Sequence, residues 1–306
     1  MENFNPLEDA IALNEALTPP NNMNSLIKII AHRSNNQRQE ILKEYFKKYK
    51  KSLNDDLKSE LNGNFKEICI SLFYTPVDFD CYQLHEAMKG LGTDEDTLIE
   101  ILSTRSNERI KEINIRYIEL FNTKLKKDIE KDTSGNFRKL LLKLLEGNRS
   151  NNNTPIVEDC KDSAKRLYNV ALFKKECIYD TFIYIFTKHS REELSLISKF
   201  YYEYYFKTLF ELIDSLFSGD FKKTLKTMIY ALLNPSEYFA NRLHEALKGL
   251  RTKDNILIRV LVSRDEIDIE RIKKYYKQIY KKDLYNVVME GFNGNYKNLL
   301  LELIGN

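Results

Sequence analysis

Leu84-His85-Glu86-Ala87-Met88-Lys89-Gly90-Leu91-Gly92-Thr93 has a near copy 159 residues further on, Leu243-His244-Glu245-Ala246-Leu247-Lys248-Gly249-Leu250-Arg251-Thr252. Fainter traces stand at Leu13-Asn14-Glu15-Ala16-Leu17 and at Arg166-Leu167-Tyr168. A second signal, a turn residue, glycine, Asn or Asp and then an aromatic, marks the other end of each unit. It occurs at Asn62-Gly63-Asn64-Phe65, Ser134-Gly135-Asn136-Phe137, Ser218-Gly219-Asp220-Phe221 and Asn293-Gly294-Asn295-Tyr296, with glycines 72, 84 and 75 residues apart. Self-similarity at such a period is the mark of a repeat architecture, and here it predicts four copies of one unit.

Between the two signals, apolar residues recur at helical spacing. Leu98, Ile99, Ile101 and Leu102 are followed by Ile110, Ile113, Tyr117, Leu120 and Phe121, then by Leu140, Leu141, Leu144 and Leu145. Strand alternation is nearly absent, and Pro19-Pro20, Pro76, Pro155 and Pro235 fall between helical patterns. The fold class expected is therefore all-α, with about five short helices in each unit. The expected boundaries are a tail over 1–8, repeats over 9–75, 80–148, 158–233 and 236–306, and a linker over 149–157. The polar run Arg149-Ser150-Asn151-Asn152-Asn153-Thr154-Pro155 is expected to divide the molecule into halves.

Composition narrows the function. A chain of 306 residues, 42% hydrophobic and 30% charged, is too apolar for a disordered polymer. The formal charge is only +3, so attraction to polyanions must come from local patches, and a histone-like role is excluded. No apolar run approaches the 18 or more residues of a spanning helix, and the acidic start lacks a signal-peptide core. Cys69, Cys81, Cys160 and Cys177 show neither metal-ligand spacing nor a disulfide framework, and read as thiols in a reducing compartment.

Met88-Lys89-Gly90-Leu91-Gly92-Thr93-Asp94-Glu95, followed by Asp132-Thr133-Ser134-Gly135-Asn136-Phe137, resembles an annexin repeat. Arg33-Ser34-Asn35 with Asp55 to Leu61 in the first unit, and Val262 to Asp268 in the fourth, agree with it, and the resemblance covers nearly the whole chain. It implies a curved disc of four five-helix repeats whose interhelical loops bind calcium and acidic phospholipid. By that resemblance Met88, Gly90 and Gly92 offer backbone carbonyls, and Asp132, 39 residues after Thr93, supplies a carboxylate. Calcium takes six to eight such oxygens, and the glycines allow backbone angles closed to other residues. Thr93 and Glu95 are candidates for a minor second site. No EF-hand spacing is present.

The other three loops read as decayed. The first holds Thr18-Pro19-Pro20-Asn21-Asn22 in place of glycines, although Glu60 remains. The third has Phe173-Lys174-Lys175-Glu176-Cys177 and Leu216 at the carboxylate position. The fourth keeps Lys248-Gly249 but has Arg251 for the second glycine and Gly291 for the carboxylate. Lys89, Leu91, Lys174, Lys175, Lys248, Arg251 and Lys253 are the expected membrane contacts, the cations facing lipid phosphates. Solvated surface charge is the competing account of these cations.

No phosphate loop, nucleophile motif or convergent polar site marks an enzyme, so no catalytic residue is assigned. His85 and His244 hold equivalent repeat positions, which points to structure. The run Tyr201-Tyr202-Glu203-Tyr204-Tyr205 reads as helix packing, not a nucleic-acid platform. Two functions stay open. One is calcium-dependent docking on acidic membranes, in the cytoplasm at the inner membrane face, with self-association there. The other is a cytoskeletal or scaffold protein whose calcium response has decayed.

Overall fold

The computed structural model describes residues 4–151, 154–173, 176–249 and 252–305. Among these residues every regular element is helical, five to a repeat. Repeat 1 comprises α1 (Pro6–Leu17), α2 (Met23–His32), α3 (Asn35–Tyr49), α4 (Leu53–Glu60) and α5 (Gly63–Phe73). Repeat 2 comprises α6 (Pro76–Ala87), α7 (Glu95–Thr104), α8 (Asn107–Phe121), α9 (Leu125–Asp132) and α10 (Gly135–Leu145). Repeat 3 follows with α11 (Val157–Leu172), α12 (Ile178–Lys188), α13 (Arg191–Tyr205), α14 (Leu209–Leu216) and α15 (Gly219–Leu233). Repeat 4 has α16 (Pro235–Leu247), α17 (Asp254–Arg264), α18 (Ile269–Tyr280), α19 (Leu284–Gly291) and α20 (Gly294–Ile304). The first helix begins inside the expected tail, because the Asn5 side chain caps it by accepting from the Leu7 and Glu8 amides at 3.1 and 3.3 Å.

The repeat signals now have a physical cause. Gly63, Gly135, Gly219 and Gly294 open the fifth helices with φ of 57, 58, 62 and 65°, a region that strains residues bearing a Cβ. Ser34, Ser106 and Ser190 start three of the third helices by accepting the amide three residues on, from Gln37, Arg109 and Glu193. Each third helix then buries a tyrosine, Tyr45, Tyr117, Tyr201 or Tyr276, and each first helix a leucine, Leu13, Leu84, Leu167 or Leu243, all at most 1% exposed. Each buried leucine contributes about 1.5–3 kcal/mol. Of the remaining tyrosine run, Tyr205 stacks on Tyr168 at 3.8 Å and Tyr202 faces solvent.

The chain forms two compact units, Met1–Phe79 with Ser236–Asn306, and Asp80–Pro235. Each joins two repeats by the same reciprocal packing. In the first unit α2 lies on α20 and α17 on α5; in the second α7 lies on α15 and α12 on α10. A second helix is thus covered by its own repeat and by its partner's fifth helix. That double coverage explains why Thr97 to Ser103 is a continuous buried run instead of a stripe.

The segment from Arg149 lies inside the second unit, which corrects the expectation that it separates halves. Ser150 donates its amide to the Lys188 carbonyl at 2.7 Å, and Arg149 donates its guanidinium to the Phe186 carbonyl at 2.9 Å. Asn107 donates to the Arg149 carbonyl at 2.7 Å and accepts from its amide at 3.1 Å. These bonds stitch repeat 2 to repeat 3.

Candidate calcium site

The loop between α6 and α7 is closed by its own backbone. The Met88 and Lys89 amides donate to His85 and Glu86 carbonyls at 3.1 and 3.3 Å, tightening the last helical turn. The chain then passes through Gly90 and Gly92 at φ 96 and 88°, and the Asp94 amide returns to the Ala87 carbonyl at 2.8 Å. Asp94 caps α7, accepting from the Thr97 amide at 3.1 Å and its hydroxyl at 2.7 Å. Leu91 stands fully exposed at the tip, Met88 tucks its side chain into the core, and Lys89 lies on the surface paired with Glu86 at 3.0 Å. A Cβ built on Gly90 or Gly92 meets nothing within 4 Å, so backbone conformation, and not crowding, is what demands glycine at both places.

Asp132 ends α9 and is brought to this loop by Thr93, whose hydroxyl donates to the Asp132 carbonyl at 3.2 Å. The turn beyond is held by Arg138, whose guanidinium donates twice to the Thr133 carbonyl, once at 2.6 Å from Nε. The other repeats carry Lys66, Lys222 and Lys297 in this position, so the one arginine accompanies the one aspartate; comparing the four turns would have revealed it. Asp132 and Glu95 are half-buried and line a depression of about 570 Å³ together with Asp220 of repeat 3. Among the described residues, none donates a hydrogen bond to the Asp132 or Glu95 carboxylate.

No group of three or more His, Cys, Asp or Glu side chains among the described residues converges to hold a metal. The donors on offer are instead backbone oxygens beside one unengaged carboxylate, with open space next to both loop glycines. Hard oxygen donors without sulfur or imidazole suit calcium and not zinc.

The remaining loops differ in defined ways. In repeat 1 the Asn22 amide closes on the Ala16 carbonyl at 3.0 Å and the Thr18 hydroxyl returns to Asn14 at 2.8 Å, while Glu60 is exposed beside Ser59. In repeat 4 Gly249, at φ 97°, and the Lys253 amide bond to Ala246 at 2.9 Å reproduce the repeat 2 closure. Gly291 offers no carboxylate there. Asp254, the counterpart of Glu95, is taken up by the Thr252 and Tyr296 hydroxyls, both at 2.9 Å. Burial, then Asp254, pushes the Tyr296 phenol above its ordinary range. Lys248 and Lys253 are exposed, whereas Lys174, Lys175 and Arg251 lie outside the described residues. In repeat 3 Leu216 is half-buried, and Tyr179, Phe217 and Phe221 pack ring on ring beside it, at 4.9 to 5.1 Å.

The annexin family model matches four times, at residues 8–72, 79–144, 162–228 and 238–303. The chain belongs to the annexin family. Annexin A1 of Homo sapiens is 38% identical over 304 residues, 99% of this annexin and 88% of that protein. A solved structure of annexin III superposes with a TM-score of 0.97 at 36% identity, covering 100% of this annexin and 95% of that chain. A calcium-bound annexin (Sm)1 structure superposes at 0.87 and 31% identity, covering 99% and 91% of the two chains. Annexins are calcium-dependent phospholipid binders, which makes calcium the ion against which this annexin's loops are judged. No helix among the described residues is long and apolar enough to cross a membrane, in keeping with peripheral attachment.

Proposed function

We propose that this annexin docks on acidic phospholipid surfaces at the inner face of membranes through calcium held in repeat 2, by the carbonyls of Met88, Gly90 and Gly92 and the carboxylate of Asp132. The observation that carries this reading is the meeting of the glycine loop with an unengaged carboxylate through the Thr93 bond to Asp132. No second loop among the described residues combines the two. Bound calcium supplies a bridge between protein oxygens and lipid phosphoryl groups. Thr93 also positions, donating its hydroxyl to the Asp132 carbonyl, and with Glu95 it offers oxygen for a minor site. Leu91 is the residue best placed to enter the acyl boundary.

A lone open site of this kind binds weakly, on the order of 10⁻⁴ M without lipid. Calcium and lipid each raise the affinity for the other by the same factor. Durable attachment then calls for several molecules side by side, or for help from cations such as Lys248 and Lys253. The test is sedimentation with phosphatidylserine vesicles, with and without calcium, for the parent and Asp132→Ala. Loss of the calcium-dependent fraction in the variant is expected. A parent indifferent to calcium would overturn the reading in favour of a scaffold or cytoskeletal role.

A further inference from the structure

In the first unit the turns that open α5 and α20 share one depression. Asn62 and Asn64 from repeat 1 and Asn293 and Asn295 from repeat 4 line a space of about 600 Å³, together with Glu60 and Tyr296. The second unit has a depression of nearly equal size, about 570 Å³, at the corresponding turns of repeats 2 and 3. There the lining is charged, with Glu95, Lys131, Asp132, Arg138 and Asp220. The places of Asn62, Asn293 and Asn295 are held by Ser134, Ser218 and Asp220. One frame thus carries two chemistries, ionic in the second unit and carboxamide in the first.

Turn and cap propensity explains asparagine before a helix, but not what these side chains are left to do. Asn62 and Asn293 are the N-caps of α5 and α20, yet neither makes a side-chain cap bond. All four carboxamides stand at exposed positions, and among the described residues no side-chain hydrogen bond engages them. Each offers two donors and an acceptor oxygen. No lysine or arginine among the described residues lines the space, so a phosphate finds no counter-charge there and is repelled by the Glu60 carboxylate. Calcium finds one carboxylate without a glycine cradle, since Thr18-Pro19-Pro20 stands in its place. Closely set donors and acceptors without a cation match a ring of hydroxyls. Tyr296 supplies an apolar wall for the C–H side of such a ring. Its hydroxyl is held by Asp254 at 2.9 Å and its ring meets Phe292 edge to face at 5.4 Å, which fixes it in place. The volume falls within the roughly 300–1,000 Å³ of small-molecule pockets.

We propose that this depression binds a neutral sugar, carried by a free glycan or by a glycolipid headgroup, without calcium. Nothing in the claim depends on the repeat 2 site.

Saturation-transfer NMR in chelator, with glucose, galactose, mannose, lactose and maltose as probes, is expected to show transfer from the parent to at least one of them. Inorganic phosphate should not displace it. Asn62→Ser, Asn293→Ser and Asn295→Asp together install the residues that repeats 2 and 3 already carry at these turns, so the variant should melt as the parent does. It is expected to weaken binding roughly tenfold, the factor given by about 1.4 kcal/mol. Asn64→Ala, at an exposed position outside the cap, should weaken it severalfold by itself. Phosphatidylcholine vesicles with and without a neutral glycosyl diacylglycerol separate the sources. Vesicle binding that free sugar competes away marks a glycolipid, transfer to free sugar alone marks a soluble glycan, and either upholds the site. Absence of transfer to every probe, equal binding in parent and both variants, or displacement by phosphate overturns the proposal. Sugar binding in a parent whose attachment to phosphatidylserine vesicles ignores calcium would sink the repeat 2 reading and leave this one standing.

Discussion

Replacing Gly92 by alanine separates backbone conformation from every other property of the loop. Gly92 sits at φ 88°, and its added Cβ would meet no atom within 4 Å, so the substitution introduces no clash and removes no contact. What it introduces is the cost of holding an L-residue at positive φ, roughly 1–2 kcal/mol. That cost has two places to appear. If the loop keeps its shape, held by the Asp94 amide on the Ala87 carbonyl, the native state weakens, and the melting temperature falls by about 2 °C for each kcal/mol. If the exposed loop relaxes to negative φ, stability is spared but the carbonyls must be pulled back into position when calcium binds, and affinity falls by a factor of roughly 5 to 30. Because Leu91 and Gly92 are exposed and little else leans on them, relaxation is the expected outcome. Calorimetric titration with calcium, paired with a melt in chelator, measures both terms on one protein. A variant that matches the parent in melting temperature and in calcium affinity would refute the reasoning, since the strain must be visible in one or the other.

Leu91→Asp should bind calcium nearly as the parent does and bind phosphatidylserine vesicles roughly tenfold or more weakly, given about 1.5–3 kcal/mol for full burial of the leucine side chain; equal vesicle binding would remove Leu91 from the membrane contact. Arg138→Lys tests whether the two guanidinium bonds to the Thr133 carbonyl position Asp132. Calcium affinity is expected to drop severalfold with little change in melting temperature, and an unchanged titration would make Arg138 ordinary surface.

The repeats are legible in the sequence where a residue type is physically forced. Gly63, Gly135, Gly219 and Gly294 occupy left-handed backbone, so four divergent copies still share them. The decay of repeats 3 and 4 is legible for the same reason, since Leu216 and Gly291 cannot present a carboxylate. What depends on distant partners leaves no local trace. The polar run after Arg149 has the composition of a free spacer, and only the Lys188 and Phe186 carbonyls, brought to it by the fold, make it a seam. Leu98, Ile99, Ile101 and Leu102 of α7 announce a buried helix without saying that α15 provides part of its cover. Thr93 reads as an oxygen donor for a minor site, and only the fold shows that its hydroxyl also ties the loop to the Asp132 carbonyl.

The reciprocal packing of second on fifth helices also orders events as the chain leaves the ribosome. Residues 80–235 form one unit without interruption, so α7 and α15 can meet as soon as repeat 3 has emerged. Repeat 1 has no such partner nearby. The faces of α2 and α5 that α20 and α17 will cover stay open to water through the synthesis of the whole intervening unit, until the last helix is released. The first repeat to be made is thus the last to be finished, and its waiting apolar surface is where a chaperone would find its hold.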